Sequence, residues 1–265
     1  MPTVLIPIPS FGFDPTETAV PWKILRDHHH EVVFATPDGK PGQADPRMVT
    51  GKDLFIFASI LRANEDAVRA YREMEQSQEF QHPISYEAMM ARTFDAVLLP
   101  GGHHPGVKEY LESRQVQAKV IEMAERGKPI GAICHGVLVL ARSRAVGRSL
   151  LYGKKTTALT KPQELAAWWM TRAWLANYYR TYPETTVEDE VRQAEPKEFD
   201  RGPWSMTRDS PDNRAAGFTV RDGSYLFARW PGDAHRFGTE FAELVAEAFS
   251  TYSLLKDSEP RREPS

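Results

Sequence analysis

Two rhythms of apolar residues alternate along the first half of the chain. Short apolar runs at residues 4–8, 31–35, 93–99 and 129–133 read as buried strands. Between them, apolar side chains recur at helical spacing: Val20, Ile24 and Leu25, then Ala67, Ala70, Tyr71 and Met74 within residues 64–78. A further amphipathic helix covers residues 115–126, where Gly127 and Pro129 mark its end. Asp14-Pro15-Thr16-Glu17 opens the first helix with a capping-box pattern, Asp at the cap and Pro at the first helical position. Residues 86–90 fit one more turn, and residues 45–60 follow neither rhythm. This alternation, which persists to about residue 145, predicts a doubly wound α/β fold around a mainly parallel sheet.

The pattern changes over residues 160–217. Leu165, Trp168, Trp169, Leu175 and Tyr179 keep helical spacing, but an aromatic and acidic stretch follows, then a Pro- and Asp-rich loop at 202–213. The segment reads as an insertion packed on the sheet, its aromatic helix mostly core, with one or two rings over a crevice. Residues 218–220 and 225–229 flank Asp222-Gly223, a hairpin signal, and residues 233–255 predict a closing helix. The expected organisation is one domain, 1–255, with the insertion at about 160–217 and a disordered polar tail at 256–265.

Composition narrows the function classes. A chain of 265 residues, 41% hydrophobic, can bury a sizeable core. Its 33 Lys and Arg against 36 Asp and Glu give a net charge of −3, without the basic excess of a nucleic-acid binder. A single cysteine excludes an internal disulfide and fits a reducing compartment. No apolar run is long enough to span a bilayer, and no basic segment opens the chain as in a signal peptide. The expectation is a cytoplasmic protein with neither nucleic acid nor membrane as partner.

That cysteine, Cys134, follows the apolar run 129–133 and precedes a helical stretch at 137–141. Gly131, Ala132 and Gly136 are small where a strand bends sharply into a helix, which is the logic of a nucleophile elbow with Cys in place of Ser. At a helix N-terminus, unpaired N–H groups favour thiolate and predict a lowered pKa. A small buried hydrophobe is the alternative.

In an open α/β sheet, ligands gather at the carboxyl ends of the strands. Glu17, Gly101-Gly102 and Cys134 each follow a strand. Glu17 is either the third residue of a capping box or an acid of the site. Pro21, which cannot donate to the Glu17 carbonyl, hints at the second. Gly101-Gly102 is either a tight strand exit or an approach for an oxyanion, in which the Gly102 and His135 amides would make two donors. His135 can serve as proton carrier. Glu164 can orient it, or can simply favour a helix start. His103 and His104 lie near this crevice, with no spaced partner for a metal. His28, His29 and His30 read as a solvated helix end.

The set Glu17-Thr18-x-x-Pro21-x-x-x-Leu25, Ala35-Thr36-Pro37-Asp38-Gly39, Leu99-Pro100-Gly101-Gly102-His103 and Ala132-Ile133-Cys134-His135-Gly136 resembles the ThiJ/PfpI family of the class I glutamine amidotransferase-like superfamily. The likeness covers roughly residues 1–160 and resumes at 218–249. It implies a flavodoxin-like three-layer sandwich, Cys134 as nucleophile, Glu17 sharing a proton with it, Gly102 and His135 as oxyanion donors, and a homodimer. The glyoxalase and chaperone branch of the family places an acid after the elbow helix, where Glu164 is the nearest match. The His-x-Glu of true glutamine amidotransferases is missing, since His235 is followed by Arg236 and Phe237, so no glutaminase is expected. The leading expectation is a cofactor-free, glutathione-independent, glyoxalase III-like enzyme for small reactive carbonyls, with Gly101 and His103 contacting substrate. An amide or ester hydrolase working through an acyl-thioester, and a redox sensor or holdase, are the alternatives.

Overall fold

The computed structural model describes residues 1–258. Among them, a seven-stranded sheet forms the middle of three layers. Its strands are β1 (Thr3–Pro7), β2 (Glu31–Thr36), β3 (Ile84–Ser85), β4 (Ala96–Leu99), β5 (Ile130–Ile133), β6 (Thr219–Asp222) and β7 (Tyr225–Ala228). They lie in the order β6-β7-β5-β4-β1-β2-β3. All neighbours run parallel except β6 and β7, the closing hairpin.

The strands read as continuous apolar runs because both faces are covered. Val4, Ile6, Ala96 and Leu98 point into one core, while Leu5, Val97 and Leu99 point into the other. The first core is closed by α1 (Pro15–Asp27), α2 (Glu65–Glu75) and α7 (Ala234–Ser258), through Trp22, Met74, Phe237 and Phe241. The second is closed by α3 (Arg114–Glu125), α4 (Val137–Arg142) and α6 (Val187–Gln193), through Val120, Leu140 and Val191. Burying each such side chain contributes about 1.5–3 kcal/mol.

Residues 160–217 lie over the crevice at the carboxyl ends of the strands. Helix α5 (Lys161–Leu175) and the turn after it join Met48, Leu54 and Tyr179 in a small third cluster. Arg229, 1% exposed at the end of β7, ties this segment down. It pairs with Asp233 through two 2.9 Å hydrogen bonds and donates to the carbonyls of Arg201 (3.1 Å) and Pro203 (2.8 Å).

Four expectations change. The aromatic helix is less buried than its pattern implied: Trp169 is 58% and Trp174 41% exposed, because α5 packs on the crevice rather than on the sheet. The hairpin turns at Gly223-Ser224, since Asp222 pairs with Tyr225 inside the ladder. His30 is buried and bonds the Ala242 carbonyl at 3.0 Å, so the histidine run is solvated only in part. Helix α7 continues to Ser258, three residues into the expected tail, and the rest of that tail lies outside the described residues. No helix among the described residues is long and apolar enough to cross a membrane.

Candidate active site

Strands β1, β4 and β5 are neighbours, so the segments leaving their carboxyl ends meet. Cys134 follows β5 directly, in one tight turn (Cys134–Gly136) that leads into α4. Its φ of 57° lies in the left-handed region, a strain of about 1–3 kcal/mol for a residue with a side chain. Gly136 permits the bend. A Cβ there would stand 2.1 Å from the Leu99 carbonyl oxygen, so the elbow presses against the end of β4 with no side chain between.

Glu17 reaches the sulfur because its alternative partner is taken. Asp14 caps α1, its Oδ1 accepting the N–H groups of Thr16 (2.8 Å) and Glu17 (3.0 Å). In a full capping box, Glu17 would turn back to the Asp14 N–H. That N–H instead donates to the Gly101 carbonyl (3.1 Å), and Glu17 Oε2 accepts the Gly101 N–H (3.0 Å). The Glu17 carboxyl thus lies beside Cys134, with one oxygen on the Gly101 N–H and the other, Oε1, buried without a hydrogen-bond partner among the described residues. A Cβ on Gly101 would stand 2.6 Å from Glu17 Oε2, 2.8 Å from the His135 nitrogen and 2.9 Å from Cys134 Cβ. The glycine is therefore required by the contact it spans.

The electrostatics correct one expectation. Burial, followed by the charge of Glu17, pushes the Cys134 thiol up rather than down, although the adjacent His135 N–H favours the thiolate. A single turn before a six-residue helix offers too little to offset desolvation of the thiolate. Burial and the neighbouring Asp14 push Glu17 up as well. Two such groups in contact titrate as a pair, and the pair retains a proton at neutral pH. That proton is free to sit on sulfur or oxygen.

His135 flanks the sulfur, its Nδ1 3.4 Å from Sγ. The Thr181 hydroxyl donates to the His103 carbonyl (2.7 Å), so it can only accept from His135 Nε2 at 3.1 Å. This assigns the proton to Nε2 and turns the lone pair of Nδ1 toward the sulfur. Burial, with the charges of His103 and Arg142, lowers His135 to about 3, so it is neutral at rest.

Thr181 occupies the position expected of Glu164. Glu164 Oε2 accepts the Val187 N–H (2.9 Å) and Oε1 lies 3.2 Å from Arg180, so its carboxyl braces α5 against α6 instead of orienting His135. It still lines the cavity, and burial raises it to about 7. His103 also lines the cavity, stacked on Tyr179 with centroids 4.2 Å apart. Burial lowers it to about 4. His104 turns away, its Nδ1 accepting the Gly106 N–H (2.9 Å), and no group of His, Cys, Asp or Glu among the described residues is arranged to hold a metal.

Cys134, Glu17, Gly102 and His103 thus share one cavity of about 80 Å³ with apolar side chains such as Met48, Leu159 and Met170. Gly101 and His135 stand behind its wall. Sequence reasoning missed Thr181, Arg208 and Trp230. They come from irregular loops, where no periodicity or spacing singles them out.

A strained strand-to-helix elbow, with an acid from the first strand's helix beside it, defines an α/β sandwich that carries its cysteine at the end of a strand. The family model described as ThiJ/PfpI family-like matches residues 8–203, and the chain belongs to the ThiJ/PfpI family. That match runs well into residues 160–217, beyond the motifs that carried the likeness in sequence. The chain is 29% identical over 138 residues to an uncharacterised protein of Schizosaccharomyces pombe, covering 51% of this chain and 49% of that one. It therefore spans about half the length of that relative. It is 24% identical over 162 residues to a deglycase of Thermococcus kodakarensis, covering 61% of this chain and 69% of the other. The crystal structure of glyoxalase III from Candida albicans matches the fold with a TM-score of 0.60 at 20% identity, over 93% of this chain and 96% of that one.

Proposed function

We propose that this protein is a cysteine-dependent enzyme that converts small 1,2-dicarbonyl compounds to hydroxy acids without glutathione. One observation carries the reading: Cys134, its sulfur 3.4 Å from His135 Nδ1, shares the wall of a small cavity with the buried Glu17 carboxyl. By the same measure a water needs about 10–15 Å³, so about 80 Å³ suits a molecule of a few heavy atoms better than a length of peptide. The names of the deglycase and glyoxalase III relatives point the same way.

The sulfur adds to the aldehyde carbon, and its proton passes through Glu17 to the carbonyl oxygen, giving a hemithioacetal. Glu17 moves the hydrogen from the first carbon to the second, and the hydroxyl proton shifts between their oxygens, while His135 Nδ1, beside the sulfur, takes up a proton and returns it to the thiol. The result is a thioester of a hydroxy acid. Water then cleaves the carbon–sulfur bond, releasing the acid and restoring the thiol. In this reading the main-chain donors at Gly102 and His135 would steady the oxyanions on the route.

The test is lactate formation from methylglyoxal in the absence of glutathione, beside a panel of activated esters and short peptides. Lactate that depends on Cys134 supports the reading. Equal rates for the protein and Cys134→Ala, or turnover of esters alone, remove it.

A further inference from the structure

The chemistry at the sulfur leaves one charge in the cavity without a task. Arg208 is the only Lys or Arg among the described residues that line it. Its Nη2 donates to the carbonyls of Ile60 (2.9 Å) and Leu61 (3.4 Å), and no ion pair joins it to a carboxylate among the described residues. Beside it stands Trp230, its ring 5.4 Å from the guanidinium carbon. Trp230 is 8% exposed and Tyr179 5%, yet the indole N–H of the one and the hydroxyl of the other have no hydrogen-bond partner among the described residues. Each such buried donor left unpaired costs about 1–3 kcal/mol. Both residues line the cavity.

The loop that carries Arg208 is built to hold it there. The Asp209 N–H donates to the Gly232 carbonyl (2.8 Å), and Asp209 Oδ2 accepts the Arg236 N–H at the start of α7 (2.8 Å). Arg229 clamps Arg201 and Pro203 a few residues upstream. The acids of the wall, Asp14, Glu17 and Glu164, are all pushed up by burial and so carry their charge less readily. Burial lowers Arg208 too, but from a value so high that the guanidinium stays charged.

We propose that Arg208, the Trp230 indole N–H and the Tyr179 hydroxyl together bind a carboxylate, so that the preferred substrates are small 1,2-dicarbonyl acids rather than neutral dicarbonyls. The substrate assignment rests on the carbonyl chemistry proposed above; the carboxylate subsite rests on the cavity alone. For such a substrate the conversion balances internally with one water: the aldehyde carbon is oxidised to a carboxylate, the ketone carbon is reduced to a carbinol, and one proton is released. Chain reactions that oxidise amino or keto acids to their dicarbonyl level are the class that would supply it. The bland rival is that Arg208 only offsets the charge of Asp14 and Glu17.

The experiment compares alkylation of Cys134 by iodoacetate and by iodoacetamide, which differ in the carboxylate. In the full chain, the ratio of the two rates is expected to exceed that for glutathione by about tenfold, the worth of one charge-assisted hydrogen bond. The excess should vanish in Arg208→Met and persist in Arg208→Lys, with the iodoacetamide rate little changed. A ratio equal to that of glutathione, or one that survives Arg208→Met, overturns the subsite. Should Arg208→Met fail to fold, protection of the wild-type thiol from iodoacetamide decides it: propionate should protect where propionamide does not, and equal protection or none overturns the subsite. A thiol that neither reagent reaches overturns this inference and the catalytic reading together. Turnover separates them further. Cys134-dependent conversion of methylglyoxal with 4,5-dioxopentanoate no better defeats the substrate assignment alone, whereas no conversion of either defeats the proposed function while the alkylation ratio still judges the subsite.

Discussion

The floor and the roof of the cavity are built in different ways. The floor, Glu17, Gly102 and Cys134, with Gly101 behind it, sits at the ends of three adjacent parallel strands, and contacts to the main chain place it. The Asp14 N–H donates to the Gly101 carbonyl, the Gly101 N–H donates to the Glu17 carboxyl, and the elbow rests on the Leu99 carbonyl. The roof, Tyr179, Arg208 and Trp230, with Thr181 behind it, consists of side chains on loops tied down by a few polar side chains such as Arg229 and Asp209. Changes to the floor should therefore alter reactivity itself, and changes to the roof should alter orientation and choice of substrate.

The largest effect that would sharpen this contrast is at the sulfur. Cys134→Ala should reduce turnover at least about a thousandfold while leaving thermal stability nearly unchanged, as for other nucleophile deletions. Glu17→Gln should split two readouts. Turnover falls about a hundredfold or more with loss of the proton carrier, while the midpoint of alkylation against pH moves down, because the charge that pushes the thiol up is gone. Both falling together, or neither moving, would break the assignment. Gly101→Ala, which forces a methyl group against Glu17 and His135, should cost about 1–3 kcal/mol in denaturant unfolding and slow alkylation.

The roof variants should do less. Thr181→Val removes the acceptor that assigns the His135 proton, and kcat should fall about fivefold with KM nearly constant, since one hydrogen bond is worth about 1 kcal/mol. Thr181→Ser should restore it; a Val variant as active as wild type would break the tautomer argument. The smallest effect concerns Glu164, raised by burial from 4.5 to about 7. A carboxyl whose folded pKa is raised contributes stability below its unfolded value, and loses that contribution as pH rises through the folded one. Glu164→Gln should therefore flatten the fall in stability between pH 4.5 and 7, measured by thermal melting across that range.

The elbow was legible in the sequence because bends of this kind demand small residues at set positions, and Gly136 answers a main-chain contact that any such turn makes. Glu17 was half legible. Its spacing fits a capping box equally well, and only the Gly101 carbonyl, which lies far along the chain just past the end of β4 and takes the Asp14 N–H, frees the carboxyl to lie beside the sulfur. Glu164 shows the opposite case: the first turn of a helix after the elbow was the natural place for an orienting acid, but Val187 and Arg180 claim it. The direction of the thiol's pKa was misread for a related reason, since donors at a turn are visible in sequence while desolvation is not.

The order of apolar runs, the cap of α1 and the glycines beside Cys134 are local demands of backbone and burial, and the chain alone determined them: a parallel sheet covered on both faces, with a cysteine at the end of one strand. Which groups surround that cysteine was decided by packing between segments far apart in the chain. Thr181, Arg208 and Trp230 obey no local rule, because their positions follow from how irregular loops are tied down over the sheet, and polar anchoring of a loop leaves no period to read.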